Sequence, residues 1–161
     1  MLWDRAWGDY WGTELYRIIY KYMKTKIYIL RHSETDYNVE RRHDHEWRAM
    51  ITEKWKQRAE IISQLLWDSK ISTIYSSPLP RCIDTLTPLA NTLEQKIVID
   101  ERLRENFLWP IQDKLWSDVP RVFLDEVHDI NGKDYEWYEH MRDVHARVSE
   151  FIDSVAQIHK W

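Results

Sequence analysis

The chain has 161 residues, 31% charged and 43% hydrophobic, which predicts one ordinary globular domain with a real core. Its mild net charge of −4 gives no electrostatic reason to expect nucleic-acid binding. The single cysteine, Cys82, excludes an internal disulfide framework, and neither a membrane-crossing apolar run nor a secretory signal is evident, so we expect a cytoplasmic protein.

The first residues differ from the rest of the chain. Residues 1–22 contain three tryptophans and two glycines in an irregular stretch, and we treat them as an N-terminal extension to a domain spanning 23–161. Within the extension, the pattern of Glu14 to Tyr22 fits a helix and a strand equally well.

The first strand of the domain is followed by a cation and an imidazole. The apolar, β-branched run Ile27 to Leu30 predicts a buried strand, and Arg31 and His32 come next. Because ligands bind just past strand ends in α/β sheets, this pair suits chemistry on an anion such as a phosphate ester.

Helices and further strands alternate along the remaining chain. Thr52 is the expected cap of a helix, and Ser77-Pro78 predicts the start of another. The predicted elements are a helix from Thr52 to Trp67, a strand from Ile71 to Tyr75, a helix from Ser77 to Leu93, a strand from Ile97 to Ile99, an irregular segment from Asp100 to Val122, and a helix from Tyr135 to Ile158. This alternation predicts a largely parallel sheet with helices on both faces.

Four motifs give the chain from Lys26 to about Arg147 a resemblance to the histidine phosphatase superfamily, also called the phosphoglycerate mutase-like family. Leu30 to Asn38 is similar to RHGET-x-x-N, Ile51 to Ala59 to LT-x-x-G-x-x-QA, Ile74 to Thr85 to I-x-SS-x-L-x-RA-x-x-T, and Asp100 to Glu105 to D-x-RL-x-E. The motifs occur in the family's order. The resemblance implies a three-layer α/β/α sandwich with a mostly parallel central sheet.

The resemblance also implies a role for five side chains. His32 would attack phosphorus and carry a covalent phosphoryl group. Arg31, Arg81 and Asn38 would bind the phosphoryl oxygens, which guanidinium groups match with paired donors. Glu105 would protonate the leaving oxygen and then deprotonate the attacking water. No metal or other cofactor is implied, because the arginines supply the positive charge.

The sequence His43-Asp44-His45-Glu46 has the composition of a metal cluster. Alternating residues in an exposed loop rarely complete a metal's ligand shell, and no partner motif is evident. We therefore interpret this segment as a solvated loop at the edge of the site.

Two departures from the family pattern affect the prediction. The family's second essential histidine, in an S/T-H-G block after the long helix, has no counterpart here, and His159 lacks the preceding strand and following glycine of that block. We therefore expect a C-terminally truncated member without the last strand or strands and with doubtful activity. Ser33 also replaces the usual glycine beside His32, where its hydroxyl either bonds phosphate or narrows the site.

Tryptophan stands at several family glycine positions. The chain has 10 tryptophans and 3 glycines, whereas average usage gives roughly 11 glycines. Trp55, Trp109 and Trp137 occupy positions where the family commonly has glycine. One explanation is that the source organism reads the UGA codon as glycine, while the sequence was translated with a code that reads UGA as tryptophan. The other is a divergent, tryptophan-rich homologue whose rings pack in the core.

From the sequence we expect hydrolysis of a small phosphorylated metabolite through a phosphohistidine. A phosphoglycerate mutase-type phosphotransferase and a catalytically impaired phosphate-binding fragment remain the alternatives. The expected partner is a small-molecule phosphate ester, with neither nucleic acid nor membrane, and no feature indicates an oligomeric state.

Overall fold

A computed structural model describes most of the domain and part of the predicted extension. For 15–19 only the backbone is described. The described residues are 15–19, 26–44, 46–106, 108–129, 131–133, 136 and 138–159.

The structure resolves the ambiguity in the described part of the extension. Leu15–Ile19 is a strand, β1, and it pairs antiparallel with Lys26–Leu30, β2, so that Leu15 lies opposite Leu30. The rest of 1–22 lies outside the described residues.

The helices and remaining strands follow in the predicted alternation. In chain order they are α1 (Asp36–Val39), α2 (Glu53–Leu66), β3 (Ile74–Ser76), α3 (Pro80–Thr92), β4 (Ile97–Ile99), α4 (Arg121–His128) and α5 (Met141–Ile158). Three short 3-10 turns, at Glu101–Leu103, Trp109–Ile111 and Trp116–Asp118, lie between β4 and α4. None of the helices in the described ranges has the length and apolar character that crossing a membrane requires.

The predicted start of α2 is confirmed, whereas that of the third helix is wrong. Thr52 is the N-cap of α2, but its hydroxyl donates to Glu34 Oε1 at 3.4 Å instead of capping the helix. The third helix begins at Pro80 rather than at Pro78, since Leu79 is still extended. Pro80 now takes the first-turn position that suits a residue without an N–H.

The long C-terminal helix also begins later than predicted. The prediction placed its start at Tyr135, whereas α5 begins at Met141. His140 is the N-cap, and its Nδ1 accepts a hydrogen bond from the Arg142 amide at 3.2 Å. Just before it, Tyr138 forms a β-bridge with Leu108, which holds this stretch extended.

Two further differences concern segments whose sequences show no clear hydrophobic periodicity. No element is predicted for most of α4, which begins at Arg121, near the end of the predicted irregular segment Asp100 to Val122, and buries Val127. The strand predicted from Ile71 begins only at Ile74, because the Ile71 carbonyl accepts from the Gln95 side chain at 2.5 Å rather than from a strand.

Helices cover the β3–β4 pair on both faces. Ile74 packs with Leu66, Leu89 and Ala90 in the core between the sheet and the α2–α3 pair. The next residue, Tyr75, meets Phe151 of α5 edge-on with ring centroids 5.3 Å apart. Because successive side chains of a strand point to opposite faces, α5 lies on the other side of the sheet from α2 and α3.

The strands form two hydrogen-bonded pairs in the described residues. β3 and β4 are parallel, as predicted, with Ser76 opposite Ile99, and β2 pairs with β1. A cavity of about 670 Å³ is lined by β2, by residues 69–77 and by α5. No strand follows α5 in the described part of the chain.

The described tryptophans at family glycine positions are accommodated without backbone strain. Trp55 lies in α2 and is 3% exposed, and Trp109 lies in a 3-10 turn and is 66% exposed. Neither has a positive φ, so neither backbone position requires glycine. Trp137 lies outside the described residues.

Candidate phosphate site

The loop that follows β2 is tied to the first turns of α3 by one buried threonine. The Ser33 amide donates to Thr85 Oγ1 at 2.9 Å, and Thr85 Oγ1 in turn donates to the Arg81 carbonyl at 2.7 Å. Thr85 is 3% exposed. This chain of hydrogen bonds fixes the residues around His32 relative to Arg81, although the two lie in different motifs.

The hydrogen bond made by Nδ1 of His32 determines which of the two ring nitrogens carries the proton. Nδ1 lies 2.7 Å from the Ser33 carbonyl, which can only accept, so Nδ1 carries the proton. In the neutral ring, Nε2 therefore presents a lone pair. Nε2 is buried and makes no hydrogen bond within the described residues.

The surroundings of His32 favour the neutral ring. Burial lowers the pKa of His32 below its usual 6.5, and the charges of Arg81 and Arg31 act in the same direction. The Ser33 hydrogen bond and the Asp44 carboxylate oppose this shift. A lowered pKa leaves His32 unprotonated at neutral pH, as a nucleophile requires.

The side chain of Asn38 is oriented by a capping box at the start of α1. The Thr35 amide donates to Asn38 Oδ1, and the Asn38 amide donates to Thr35 Oγ1, both at 3.2 Å. Because Oδ1 is used as an acceptor here, Nδ2 is the donor left to face the site.

Three of the predicted site residues converge on the carboxylate of Asp44. Asp44 Oδ2 lies 3.8 Å from His32 Nε2 and 3.7 Å from Arg81 Nε. Asn38 Nδ2 lies 3.4 Å from both carboxylate oxygens, and Thr35 Oγ1 donates to Oδ1 at 2.8 Å. The structure thus brings His32, Asn38 and Arg81 around one anion, as a phosphate site requires.

The interpretation of 43–46 as a solvated loop is wrong for Asp44. Its side chain is 14% exposed and points into the site. Glu46 is equally shielded: its carboxylate accepts from Arg104 Nη2 at 2.5 Å, and its carbonyl accepts from Arg81 Nη1 at 3.2 Å. In the described residues no group of three His, Cys, Asp or Glu side chains could hold a metal ion, and His45 is not among them.

Arg31 and Glu105, the other two predicted site residues, lie at exposed positions. Arg31 is exposed, and its charge contributes to the lowered pKa of His32. Glu105 is also exposed, and its charge contributes to the raised pKa of the Cys82 thiol, which is due mainly to burial.

Sequence reasoning missed two members of the cluster. Asp44 was hidden in a run of charged and histidine residues that resembles an ordinary polar loop. Thr85 is the last residue of the third motif, and that motif is the sequence signal that its position matters.

Comparisons with known proteins match most of the chain. A family model described as histidine phosphatase superfamily (branch 1) matches residues 27–161. The chain is 26% identical over 138 residues to a putative phosphoserine phosphatase 2 of Hydrogenobacter thermophilus, covering 83% of this chain and 68% of the relative. It is 32% identical over 137 residues to a probable phosphoglycerate mutase GpmB of Yersinia pestis, covering 83% of this chain and 64% of the relative.

Solved structures confirm the predicted fold class. A mycobacterial glucosyl-3-phosphoglycerate phosphatase in complex with VO3 superposes with a TM-score of 0.70 at 26% identity, over 80% of this chain and 65% of its own. YhfR of Bacillus stearothermophilus superposes with a TM-score of 0.71 at 27% identity, over 80% of this chain and 66% of its own. The chain spans about two thirds of the length of these relatives.

Proposed function

The chain belongs to the histidine phosphatase superfamily, and from that premise we propose that it hydrolyses small phosphomonoesters through a phosphohistidine at His32. The observation that carries the proposal is the convergence of His32 Nε2 and Arg81 Nε on one carboxylate oxygen, at 3.8 and 3.7 Å. A phosphoryl group bound there would bring its phosphorus within reach of the His32 nucleophile and its oxygens within reach of the Arg81 guanidinium.

In the first half-reaction, the lone pair of His32 Nε2 attacks phosphorus. A nitrogen–phosphorus bond forms as the ester phosphorus–oxygen bond breaks, and Glu105 gives its proton to the departing alkoxide. Arg81, Arg31 and Asn38 stabilise the charge on the phosphoryl oxygens. Preorganised donors of this kind usually supply a large share of the rate enhancement.

In the second half-reaction, water replaces the alcohol. Glu105, now a carboxylate, takes a proton from water as the oxygen attacks the phosphohistidine. The nitrogen–phosphorus bond breaks, His32 recovers its lone pair, and inorganic phosphate leaves. The hydrogen bond from Nδ1–H to the Ser33 carbonyl supports both steps because it keeps the proton on the nitrogen that does not react.

A mutase is the second candidate, and the similarity to a probable phosphoglycerate mutase favours it. In that reaction the phosphoryl group on His32 would pass to a phosphoglycerate hydroxyl instead of to water. The mutase would require a bisphosphate primer to load His32, whereas hydrolysis requires none.

The two candidates are separated by measuring release of inorganic phosphate from p-nitrophenyl phosphate and from 3-phosphoglycerate. We expect hydrolysis without a primer, unaffected by a chelator and abolished by His32→Ala. His145→Ala is the matched control, because His145 is an exposed residue of α5. Phosphoryl exchange only with a bisphosphate primer would favour the mutase, and phosphate binding without turnover would contradict both.

A further inference from the structure

We infer that Asp44 is a built-in occupant of the phosphate site, and that its carboxylate limits the affinity of the protein for phosphate. The inference rests on the proposed function, since it assigns the anion site to a phosphoryl group. It concerns the 43–46 segment, which neither the motifs nor the proposed chemistry uses.

The contacts of Asp44 are those that a phosphoryl group would make. Thr35 and Asn38 donate to its oxygens, and the Arg81 guanidinium lies 3.7 Å away. The nucleophilic nitrogen of His32 lies on the same side at 3.8 Å. A carboxylate resembles phosphate in charge sign and in its acceptor oxygens, so a donor set built for phosphate also binds Asp44.

The backbone on either side of Asp44 is anchored, which keeps this residue beside the site. The His43 amide donates to the Lys114 carbonyl at 2.9 Å, and the His43 carbonyl accepts from the Asp113 amide at 3.2 Å. On the other side, Glu46 is held by Arg81 and Arg104. The position of Asp44 is thus set by its neighbours and not only by its own hydrogen bonds.

An incoming phosphate cannot share these donors with an ionised Asp44. Two anions in one site repel each other strongly, and this repulsion weakens the binding of the second anion. Phosphate therefore binds only when the Asp44 side chain rotates away. This rearrangement reduces the observed affinity, as any competing occupant of a site does.

The Asp44→Asn substitution removes the negative charge of the side chain while keeping its shape. Asp44→Asn keeps the size of the side chain and its acceptor for Thr35, while its amide can donate to a phosphoryl oxygen. We expect Asp44→Asn to bind inorganic phosphate at least about tenfold more tightly than the unchanged protein. Asp68→Asn makes the same chemical change at an exposed position beyond the end of α2, and should leave the affinity unchanged.

The test is isothermal titration of the full chain with inorganic phosphate at neutral pH and fixed ionic strength. Asp44→Ser is titrated in parallel, so that an answer remains if the asparagine variant does not fold. Unchanged or weaker binding by the folded Asp44 variants, with phosphate still bound by the unchanged protein, overturns the inference and leaves the proposed function standing. Absence of phosphate binding in every protein, Asp44 variants included, overturns both.

Discussion

Nε2 of His32 faces Oδ2 of Asp44 at 3.8 Å, which is too long for a hydrogen bond. With the proton on Nδ1, both facing groups are electron-rich, so the contact does not stabilise the neutral ring. This arrangement suits the proposed reaction, in which the lone pair of Nε2 attacks an electron-poor phosphorus atom. The geometry around the histidine fits the nucleophilic role that we propose for it.

The first prediction concerns the pKa of His32. Burial and the two nearby arginines should place it below 6.5. Asp44 acts in the opposite direction, so Asp44→Asn should lower the pKa of His32 further. Titration of the imidazole resonances by NMR measures both values. A pKa above 6.5, or a rise in the asparagine variant, would show that the ring is not in the environment described here.

The second prediction is the consequence of that pKa for stability. A histidine with a lowered pKa in the folded state binds its proton more readily when unfolded, so its presence destabilises the fold as the pH falls below 6.5. His32→Gln cannot be protonated, and should lose less of its free energy of unfolding between neutral and mildly acidic pH. Urea unfolding at several pH values tests this, and identical pH dependence in both proteins would contradict it.

The third prediction concerns Thr85, the hydrogen-bonded link between the His32 loop and α3. Thr85→Val leaves the buried Ser33 amide without an acceptor, which should cost about 1–3 kcal/mol of stability. It should also lower kcat about tenfold or more by releasing the loop that positions His32. Thr85→Ser keeps the hydroxyl and should recover most of the activity.

Thr87 provides the matched control for this prediction. It lies two residues further along α3, is exposed, and donates to the carbonyl four residues before it, as Thr85 does. Thr87→Val removes a similar hydrogen bond without touching the site. If Thr87→Val reduced kcat as much as Thr85→Val, the effect would belong to the helix and not to the link.

The fourth prediction addresses Trp55. Its ring is 3% exposed, and the Arg58 guanidinium stacks on it at 4.1 Å from the centroid. Trp55→Ala should destabilise the fold by roughly 3–5 kcal/mol, as truncation of a buried aromatic ring does. Trp67→Ala at a 65% exposed position should change stability by no more than about 0.5 kcal/mol. Similar small losses in both variants would mean that the Trp55 ring is not part of the core.

The sequence predicted the parallel β3–β4 pair, although β3 begins three residues later than predicted, and the roles of the site residues stay predictions. His32 and Arg81 lie far apart in the chain, and the structure brings both side chains next to Asp44. The strand Ile97–Ile99 has the predicted bounds at both ends, because the run is short, apolar and β-branched.

The errors have local physical causes. The predicted start of the third helix is two residues early. Ser77-Pro78 has the composition of a cap followed by a first-turn proline, whereas Leu79 is the N-cap and Pro80 is the first helical residue. α4 was missed because an eight-residue helix gives little more than two turns of periodicity. Asp44 was assigned to solvent because composition does not show that a loop folds back over the residues that precede it.

The proposed chemistry depends most on one covalent bond, between His32 and phosphorus, and trapping that bond is the most direct test. The protein is mixed with p-nitrophenyl phosphate, stopped rapidly under alkaline conditions and digested, and the peptide containing His32 is analysed by mass spectrometry. We predict one added phosphoryl group on the His32 imidazole, absent from the same peptide of His32→Ala. Release of inorganic phosphate by a protein whose His32 never carries that group would contradict the account.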